Sequence, residues 1–218
     1  MSVAAILVAA GSGSRLGAER PKAFVDLAGR PLFVHAVQRL QGVDSVVVVV
    51  PVGLVEQAGL LLQSWPQVRC VAGGASRHAS VAAGLAALPA TARTVLVHDA
   101  ARCLAPPSLV AAVASAVREG HPAVVPGVAV TDTIKAVSAS GTVTHTLDRT
   151  VLRAIQTPQG FDRAVLEQAH QLSAAGSHTD DAELVSSCGH PVLVIPGDPL
   201  ARKITTAADL AYAGWLLS

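Results

Sequence analysis

The residues of this sequence that most clearly suggest a chemical role form a glycine-rich loop with two cations near its start. Residues 7–17 (LVAAGSGSRLG) combine three glycines with Arg15, and Lys22 follows shortly afterwards. Backbone N–H groups of a glycine-rich turn can face phosphate oxygens, while an arginine holds phosphate with a fork of hydrogen bonds and a lysine adds a point charge. The pattern predicts a phosphate-binding loop; the alternative is that both cations are solvated charges of an ordinary loop.

Two well-known phosphate-binding loops do not fit this stretch. The dinucleotide fingerprint needs a third glycine where Leu16 stands, and a carboxylate after the second strand, where residues 51–53 are Pro-Val-Gly. The ATPase P-loop needs Gly-Lys-Ser/Thr, which occurs nowhere in the chain. Two cations in one loop instead favour a nucleoside triphosphate, whose several charges must be neutralised.

Strands and helices alternate along the chain and must position this loop. Short apolar runs predict strands, and stretches with helical periodicity predict helices between them. The clearest strand is SVVVVVP, whose uninterrupted valines predict burial on both faces, as in a parallel sheet. We predict a Rossmann-like, doubly wound α/β fold with a mostly parallel sheet. Strands are expected at 3–10, 45–51, 68–72, 94–98, 122–126 and 191–195, and helices at 31–41, 54–64, 76–88, 107–119, 163–174, 179–187 and 206–217.

The alternation breaks in the second half of the chain. Residues 128–137 (VAVTDTIKAV) and 142–146 alternate between apolar and polar types and are joined by the turn residues 138–141. This pattern predicts a β-hairpin. We therefore expect one domain spanning 1–218, with a β-hairpin arm inserted at about 128–152.

In open α/β sheets, ligands bind at the carboxyl ends of the strands. The segments 11–17, 73–77 and 98–102, together with the region after 195, are therefore the candidate site. Asp99 directly follows a predicted buried strand, where it could bind a hydroxyl or metal or equally well cap a helix. Asp180 and Asp181 are adjacent at a predicted helix start, so we interpret them as capping residues rather than a facing acid/base pair.

Composition excludes several classes of protein. The formal net charge is +1 with 14% charged residues, so we expect no nucleic-acid partner. No apolar run reaches eighteen residues, so we expect no membrane span. Cys70, Cys103 and Cys188 are few and far apart, which speaks against a disulfide framework or zinc site and fits a cytoplasmic location.

Eight segments in order resemble one family of enzymes over essentially the whole chain. Residues 7–24 (LVAAGSGSRLGAERPKAF) are similar to the signature of nucleotidyltransferases that act on sugar-nucleotide-type substrates. The remaining segments narrow the resemblance to the 2-C-methyl-D-erythritol 4-phosphate cytidylyltransferase family. They are GGASRHASVAAGL (73–85), VHDAAR (97–102), VTDTIK (130–135), LDRT (147–150), QTPQGF (156–161), HTDDAE (178–183) and RKITTAADL (202–210).

The resemblance implies a nucleotide-diphospho-sugar transferase type of fold and a reaction. CTP and methylerythritol 4-phosphate would give 4-diphosphocytidyl-2-C-methyl-D-erythritol and pyrophosphate. It also implies Mg²⁺, bound mainly through the CTP phosphates with no assigned protein ligand, and a homodimer whose β-arm reaches the partner's site.

Individual roles follow from the matched positions. The family match implies that three cations stabilise charge on the phosphates: Arg15, Lys22 and Lys203. CTP binding is implied for Ala9, Ala10, Gly11, Gly13, Gly74, Ala75, Ser80 and Asp99. Contacts to the acceptor substrate are implied for Asp99, Arg102, Thr133, Arg149 and Thr157. Arg77 is expected to order its loop, and His98 to be structural, because in-line transfer needs no nucleophile or base of the hydrolase type.

Two other functions remain open from the sequence. A ribitol-5-phosphate cytidylyltransferase shares much of the pattern, and only the acceptor contacts distinguish it. A non-catalytic nucleotide-binding module is the alternative from another class, although it would not need cations on both sides of the α-phosphate.

Overall fold

The computed structural model describes residues 2–11, 20–172 and 178–218. Its strands are β1 (Ser2–Val8), β2 (Asp26–Leu27), β3 (Arg30–Pro31), β4 (Ser45–Val50), β5 (Val68–Ala72), β6 (Ala92–Asp99), β7 (Ala123–Ala129), β8 (Lys135–Val137), β9 (Val143–Thr146), β10 (Arg153–Ile155), β11 (Gln159–Asp162) and β12 (Val192–Pro196). Its helices are α1 (Leu32–Arg39), α2 (Val55–Leu61), α3 (Arg77–Ala87), α4 (Pro107–Arg118), α5 (Arg163–Leu172), α6 (Asp181–Ser187) and α7 (Ala207–Trp215).

The central sheet has eight strands and is mostly parallel. Its order is β5-β4-β1-β6-β11-β7-β12, and β10 pairs with the end of β7 on the same side as β11. The pairs β1–β4, β1–β6, β4–β5 and β7–β12 are parallel, while β10 and β11 run antiparallel to their neighbours. The predicted α/β fold with a mostly parallel sheet is confirmed.

Strand β4 shows why helices cover both faces of the sheet. Val46, Val48 and Val50 belong to the core cluster that includes α1 and α4, whereas Val47 and Val49 belong to the cluster on the α3 side. Because successive side chains of a strand point to opposite faces, an all-valine strand needs an apolar layer on each side. The prediction of burial on both faces is confirmed.

The hairpin segment differs from its predicted bounds. Strands β8 and β9 pair antiparallel, with residues 138–142 between them and Gly141 at φ +81°. Val128 and Ala129, predicted in the hairpin, belong instead to β7 because β10 supplies their partners Ala154 and Arg153. The hairpin segment thus leaves and rejoins the main sheet at neighbouring residues, and no residue of 128–155 is buried.

The remaining predicted elements are found within a few residues of their expected bounds. Two short strands that the sequence did not predict, β10 and β11, lie beside β7, and β2 pairs with β3 in a two-residue ladder. The end of the helix predicted at 163–174 lies outside the described residues. In the part of the chain described here, no helix is long and apolar enough to cross a membrane.

Candidate active site

A cleft of about 470 Å³ opens at the carboxyl ends of β1 and β6, beside the loop that follows β5. The residues around it come from five separate segments of the chain, and a site at the carboxyl ends of the strands is expected for a doubly wound sheet. The predicted site residues that line it are Ala9, Ala10, Gly11, Lys22, Gly74, Ala75, Ser80, Asp99 and Lys203. Gly13 and Arg15 lie outside the described residues, so their predicted roles stay predictions.

The segments after β1 and β5 are held close together at the floor of the cleft. Ala9 N–H donates to Val49 O at 2.8 Å, and Gly73 N–H donates to Val50 O at 2.8 Å. A Cβ on Gly73 would lie only 2.7 Å from Cβ of Ala10, so a larger residue would push the two segments apart. The glycine therefore keeps two backbone edges within reach of one ligand.

Ser80 folds the next loop onto the first turn of α3. Its buried hydroxyl accepts from Gly74 N–H at 3.2 Å and donates to Ser76 O at 2.9 Å. The helix cap is Ser76, which accepts from Ala79 N–H. Ser80 is thus a loop-ordering residue at the wall of the cleft, while its predicted contact with the base stays a prediction.

Lys22 stands on a short turn that is anchored in the core. Residues Lys22–Phe24 form one 3₁₀ turn after Pro21, and Ala23 and Phe24 are buried. The Phe24 ring packs on Phe33 of α1 with centroids 4.8 Å apart. Burial of the two residues after Lys22 therefore fixes the point from which its side chain enters the cleft.

Lys203 is placed from the opposite end of the chain. The next residue, Ile204, is buried and its N–H donates to Ala101 O at 2.8 Å, which joins this segment to the turn after β6. Asp209 fixes the residues beyond Ile204, since its carboxylate accepts from the N–H groups of Thr205 and Thr206. These bonds keep the pKa of Asp209 well below its usual range.

Asp99 faces two cations in the cleft. Lys203 Nζ lies 2.7 Å from its Oδ2, and Arg77 Nε lies 3.9 Å from its Oδ1. Burial alone would raise the pKa of this carboxyl, but the charges of Lys203 and Arg77 hold it below its usual value. Asp99 is therefore an ionised carboxylate, and it is the acidic residue among the described residues that line the cleft.

A buried polar pair supports Asp99 from below. Thr157 Oγ1 accepts from Asp99 N–H at 3.0 Å and lies 2.8 Å from His98 Nδ1. Both His98 and Thr157 are buried, and burial lowers the pKa of His98 to about 4, so the ring is neutral. In this arrangement Thr157 contacts the backbone under the cleft and does not line it.

Arg102 is committed to backbone contacts. Its Nη1 donates to Ala201 O at 2.8 Å and its Nη2 to Ile155 O at 3.1 Å. The side chain thereby ties the segment before Lys203 to β10. Its predicted contact with an acceptor substrate stays a prediction, and the side chain does not line the cleft of this chain.

Thr133 and Arg149 lie in the segment 128–155 and are both exposed. Arg149 Nη1 donates to Thr131 O. Neither residue lines the cleft of its own chain. Among the described residues, the structure thus brings the predicted nucleotide contacts together and leaves the predicted acceptor contacts apart, except for Asp99.

The two adjacent acids at the start of α6 have different roles. Asp180 is the cap, accepting from Glu183 N–H at 2.8 Å, as predicted. Asp181 is not a cap: its buried carboxylate binds Arg77, so the prediction for Asp181 is wrong. A cap residue lies outside the helix with extended backbone, so the two neighbouring side chains point in different directions.

Sequence reasoning missed some of the residues that line the cleft. Ser76, Ala101 and Thr205 line it without having been assigned a role. Arg77 lines it as well, and the expectation that it orders its loop stays a prediction. Thr205 stands two residues after Lys203, a spacing that could have included it. Among the residues described, no group of three histidine, cysteine or acidic side chains could hold a metal ion.

Comparison with known proteins identifies one family. The model of the IspD family, 2-C-methyl-D-erythritol 4-phosphate cytidylyltransferase, matches residues 3–218 of this chain. The chain is 50% identical over 219 residues to the protein of that name from Nocardia farcinica, covering 99% of this chain and 94% of the relative. It is 51% identical over 214 residues to the one from Rhodococcus jostii, covering 97% and 93%.

Solved structures give the same result. The crystal structure of 2-C-methyl-D-erythritol 4-phosphate cytidylyltransferase from Thermus thermophilus superposes with a TM-score of 0.82 at 34% identity, covering 99% of this chain and 98% of that one. The 4-diphosphocytidyl-2C-methyl-D-erythritol synthase from Anaerococcus prevotii has a TM-score of 0.85 at 28% identity, with the same coverage.

Proposed function

Because the chain belongs to the IspD family of cytidylyltransferases, we propose that it transfers CMP from CTP to 2-C-methyl-D-erythritol 4-phosphate. The products would be 4-diphosphocytidyl-2-C-methyl-D-erythritol and pyrophosphate. The observation that supports this best is a single cleft in which Lys22 and Lys203, from opposite ends of the chain, meet the small residues predicted to hold the nucleotide.

The proposed reaction is an in-line displacement at phosphorus. A phosphate oxygen of the acceptor bonds to the α-phosphorus of CTP while the bond to the bridging oxygen of pyrophosphate breaks. Such transfers depend on positioning and on stabilising charge that spreads over the phosphoryl oxygens. We assign that stabilisation to Lys22, Lys203 and Arg15.

Asp99 has two roles in the proposal. It holds the ammonium of Lys203 by the 2.7 Å ion pair, which orients a long side chain before the nucleotide arrives. Its ionised carboxylate also accepts hydrogen bonds from ribose or acceptor hydroxyls. A charge held in place in advance needs little rearrangement when the transition state forms.

The nucleotide is recognised in the proposal by backbone edges. Residues 9–11 and the pair Gly74 and Ala75 present small side chains, so N–H and C=O groups can approach the ligand. Cytosine carries both an amine donor and carbonyl and ring-nitrogen acceptors, which a backbone edge can match from either side. Ser80 contributes by keeping the loop folded.

Mg²⁺ fits this donor set as a phosphate-bound ion. It favours oxygen ligands, keeps several waters and binds through one or two carboxylates plus substrate phosphates. Among the described residues that line the cleft, Asp99 would supply this carboxylate. When bound, the ion would neutralise part of the triphosphate charge, and Lys22 and Lys203 would orient the oxygens that it leaves free.

We also propose that the acceptor half of the site is completed in a homodimer. Thr133 and Arg149 would reach the partner's cleft from the exposed segment 128–155, where they would bind the acceptor phosphate. Arg102 and Thr157 would support this half of the site through the backbone groups that they bind. Exposed apolar side chains on this segment support a partner surface, among them Val137 at 59%, Val143 at 54% and Val151 at 76% exposed.

The free thiols of Cys70, Cys103 and Cys188 fit a cytoplasmic location.

One assay separates the proposed function from its alternatives. Pyrophosphate release is measured with CTP and Mg²⁺, with methylerythritol 4-phosphate, with ribitol 5-phosphate and with no acceptor. We expect release with methylerythritol 4-phosphate and little without acceptor. Faster pyrophosphate release with ribitol 5-phosphate would identify that compound as the acceptor. Binding of CTP without pyrophosphate release under any of the three conditions would identify the protein as a nucleotide-binding module.

A further inference from the structure

The guanidinium of Arg77 lies between two carboxylates that belong to different parts of the fold. Its Nη1 donates to Asp181 Oδ2 at 2.5 Å, and its Nε lies 3.9 Å from Asp99 Oδ1. Asp99 lines the cleft, whereas Asp181 lies behind Arg77 and its side chain is only 2% exposed. The arginine therefore links the cleft to a buried acid 104 residues away in sequence.

Asp181 is fixed from its other side as well. His170 Nε2 on α5 lies 3.0 Å from Asp181 Oδ1, so both carboxylate oxygens have partners. The ring of His170 stacks on His78 of α3, with centroids 4.3 Å apart and planes 21° apart. Burial alone would raise the pKa of Asp181, but the hydrogen bond from His170 and the charge of Arg77 hold it below its usual value.

This arrangement determines where Arg77 points. A guanidinium is planar and rigid, so a hydrogen bond at one terminal nitrogen fixes the direction of the others. The Arg77 side chain is 31% exposed. Without its bond to Asp181 it could adopt other rotamers that point into solvent. With that bond, Nε faces Oδ1 of Asp99 while Oδ2 of the same carboxylate holds Lys203.

We propose that Asp181 is a positioning residue for the cleft: through Arg77 it holds Asp99 in the orientation that presents Lys203 to the nucleotide. The effect on turnover rests on the proposed cytidylyltransferase function. The link from Asp181 to Arg77 does not, and it is measurable in the free protein.

The chain supplies a matched control at the neighbouring position. Asp180 is also an aspartate at the start of α6, but its carboxylate accepts from Glu183 N–H and from Gln159 Nε2. Asparagine is as good a helix cap as aspartate. Gln159 Oε1 has no partner among the described residues, so a flipped amide could accept from the new NH₂ group. Asp180→Asn thus removes the same charge while keeping the local contacts.

The kinetic test compares Asp181→Asn with Asp180→Asn. An asparagine at 181 carries no charge and has only one accepting oxygen, so the ion pair that holds the Arg77 guanidinium is lost and the guanidinium is held less firmly. We expect kcat to fall about tenfold in Asp181→Asn, with KM for CTP within about twofold, because orientation and not affinity is lost. Asp180→Asn should keep the kcat of the parent. A parental kcat in Asp181→Asn would overturn the proposal.

A double-mutant cycle separates positioning from a general loss of structure. If Asp181 acts through Arg77, adding Asp181→Asn to Arg77→Ala should lower kcat no further. Independent effects would multiply instead, and that result would overturn the proposal. If Asp181→Asn does not fold, Arg77→Lys is the variant that tests the proposal. Lysine keeps the charge but lacks the rigid fork of the guanidinium, so we expect the same fall in kcat. Parental turnover in Arg77→Lys would overturn the proposal.

The last readout needs no catalysis. In ¹⁵N-labelled protein, hindered rotation of a bound guanidinium should give resolved Nη signals for Arg77 in the parent and in Asp180→Asn, and averaged signals in Asp181→Asn. Unchanged signals in Asp181→Asn would overturn the positioning role. If the parent shows the resolved signals but no CMP transfer, the proposed function fails while the link from Asp181 to Arg77 stands.

Discussion

The loops after β1 and β5 and the segment 128–155 both carry predicted site residues, but their surroundings differ. Ala9 after β1 and Ser80 in the first turn of α3 are both buried, and they line one cleft with their neighbours. Thr133 and Arg149 stand on a segment in which no residue is buried. A single chain thus brings together the described residues of the predicted nucleotide side and leaves Thr133 and Arg149 of the predicted acceptor side exposed.

The physical reason lies in what each region packs against. Strand β1 is flanked by β4 and β6 and covered by helices, so its end is fixed by the whole core. The hairpin of β8 and β9 has three residue pairs and no buried side chain. An isolated two-stranded hairpin is at best marginally stable in water. The proposed homodimer would supply the partner surface that the segment 128–155 does not find in its own chain.

The largest effect is expected on the nucleotide side. Lys22→Ala should lower kcat about 10²–10³-fold, because a preorganised cation next to the transferring phosphoryl group is lost. Pyrophosphate release at saturating substrates measures it. Arg118→Ala, an exposed cation in the last turn of α4, serves as the control. Full turnover by Lys22→Ala would remove this residue from the mechanism.

The acceptor side should respond in a different parameter. Arg149→Ala should lower kcat/KM for methylerythritol 4-phosphate by about 10²-fold, since a charge-assisted contact to phosphate is lost, while KM for CTP stays unchanged. Arg153→Ala is the matched control, an exposed arginine four residues on whose Nη1 binds only backbone carbonyls in this structure. Equal losses in both variants would argue for general damage to the segment.

Thr157 lies under Asp99, and its substitution tests whether it supports the nucleotide side or contacts the acceptor substrate. Thr157→Val keeps the shape but leaves Asp99 N–H and His98 Nδ1 without the hydroxyl they now contact. We expect kcat to fall about tenfold and the free energy of unfolding to drop by about 1–3 kcal/mol. Thr157→Ser should restore both. A rise confined to KM for the acceptor would mean direct contact with that substrate instead.

The smallest effect concerns pH and the buried support of the nucleotide side. His98 has a pKa of about 4 in the folded chain against an ordinary value of 6.5, so the unfolded chain binds more protons between these values. Its contribution to stability is therefore full above about pH 6.5 and is lost as the pH falls towards 4. From about pH 7.5 to about pH 5 the parent should lose about 2 kcal/mol more unfolding free energy than His98→Gln. Identical losses in urea unfolding would show that His98 titrates normally.

Much of the fold could be predicted because local pattern and global position agree. The valines of β4 indicated a strand buried on both faces, and the structure places it between β1 and β5 with core on each side. Strand β11 could not be predicted in the same way. It has four residues and includes Gly160, where a Cβ would lie 2.5 Å from Val113 Cγ1 of α4. Its strand conformation comes from β6 and β7 on either side and not from its own residues.

The site was predictable where a motif is local. The glycine and serine of the loop after β5 act within seven residues of each other, and the structure brings them to the cleft. Asp181 could not be assigned from the sequence, because its partner Arg77 is 104 residues away and no spacing rule joins them. Contacts between distant segments follow only from the assembled sheet.

Mixing two impaired chains tests the division between the two regions most directly. Lys22→Ala and Arg149→Ala are dissociated together, refolded at equal amounts and assayed for pyrophosphate release at saturating CTP, with methylerythritol 4-phosphate well below its KM so that each variant alone is slow. If the segment 128–155 serves the partner's cleft, half of the dimers are mixed and one of their two sites carries neither substitution, so about a quarter of the parental activity should return. If each chain used its own Lys22 and its own Arg149, no site would be intact, and activity no higher than that of the separate variants would contradict the account.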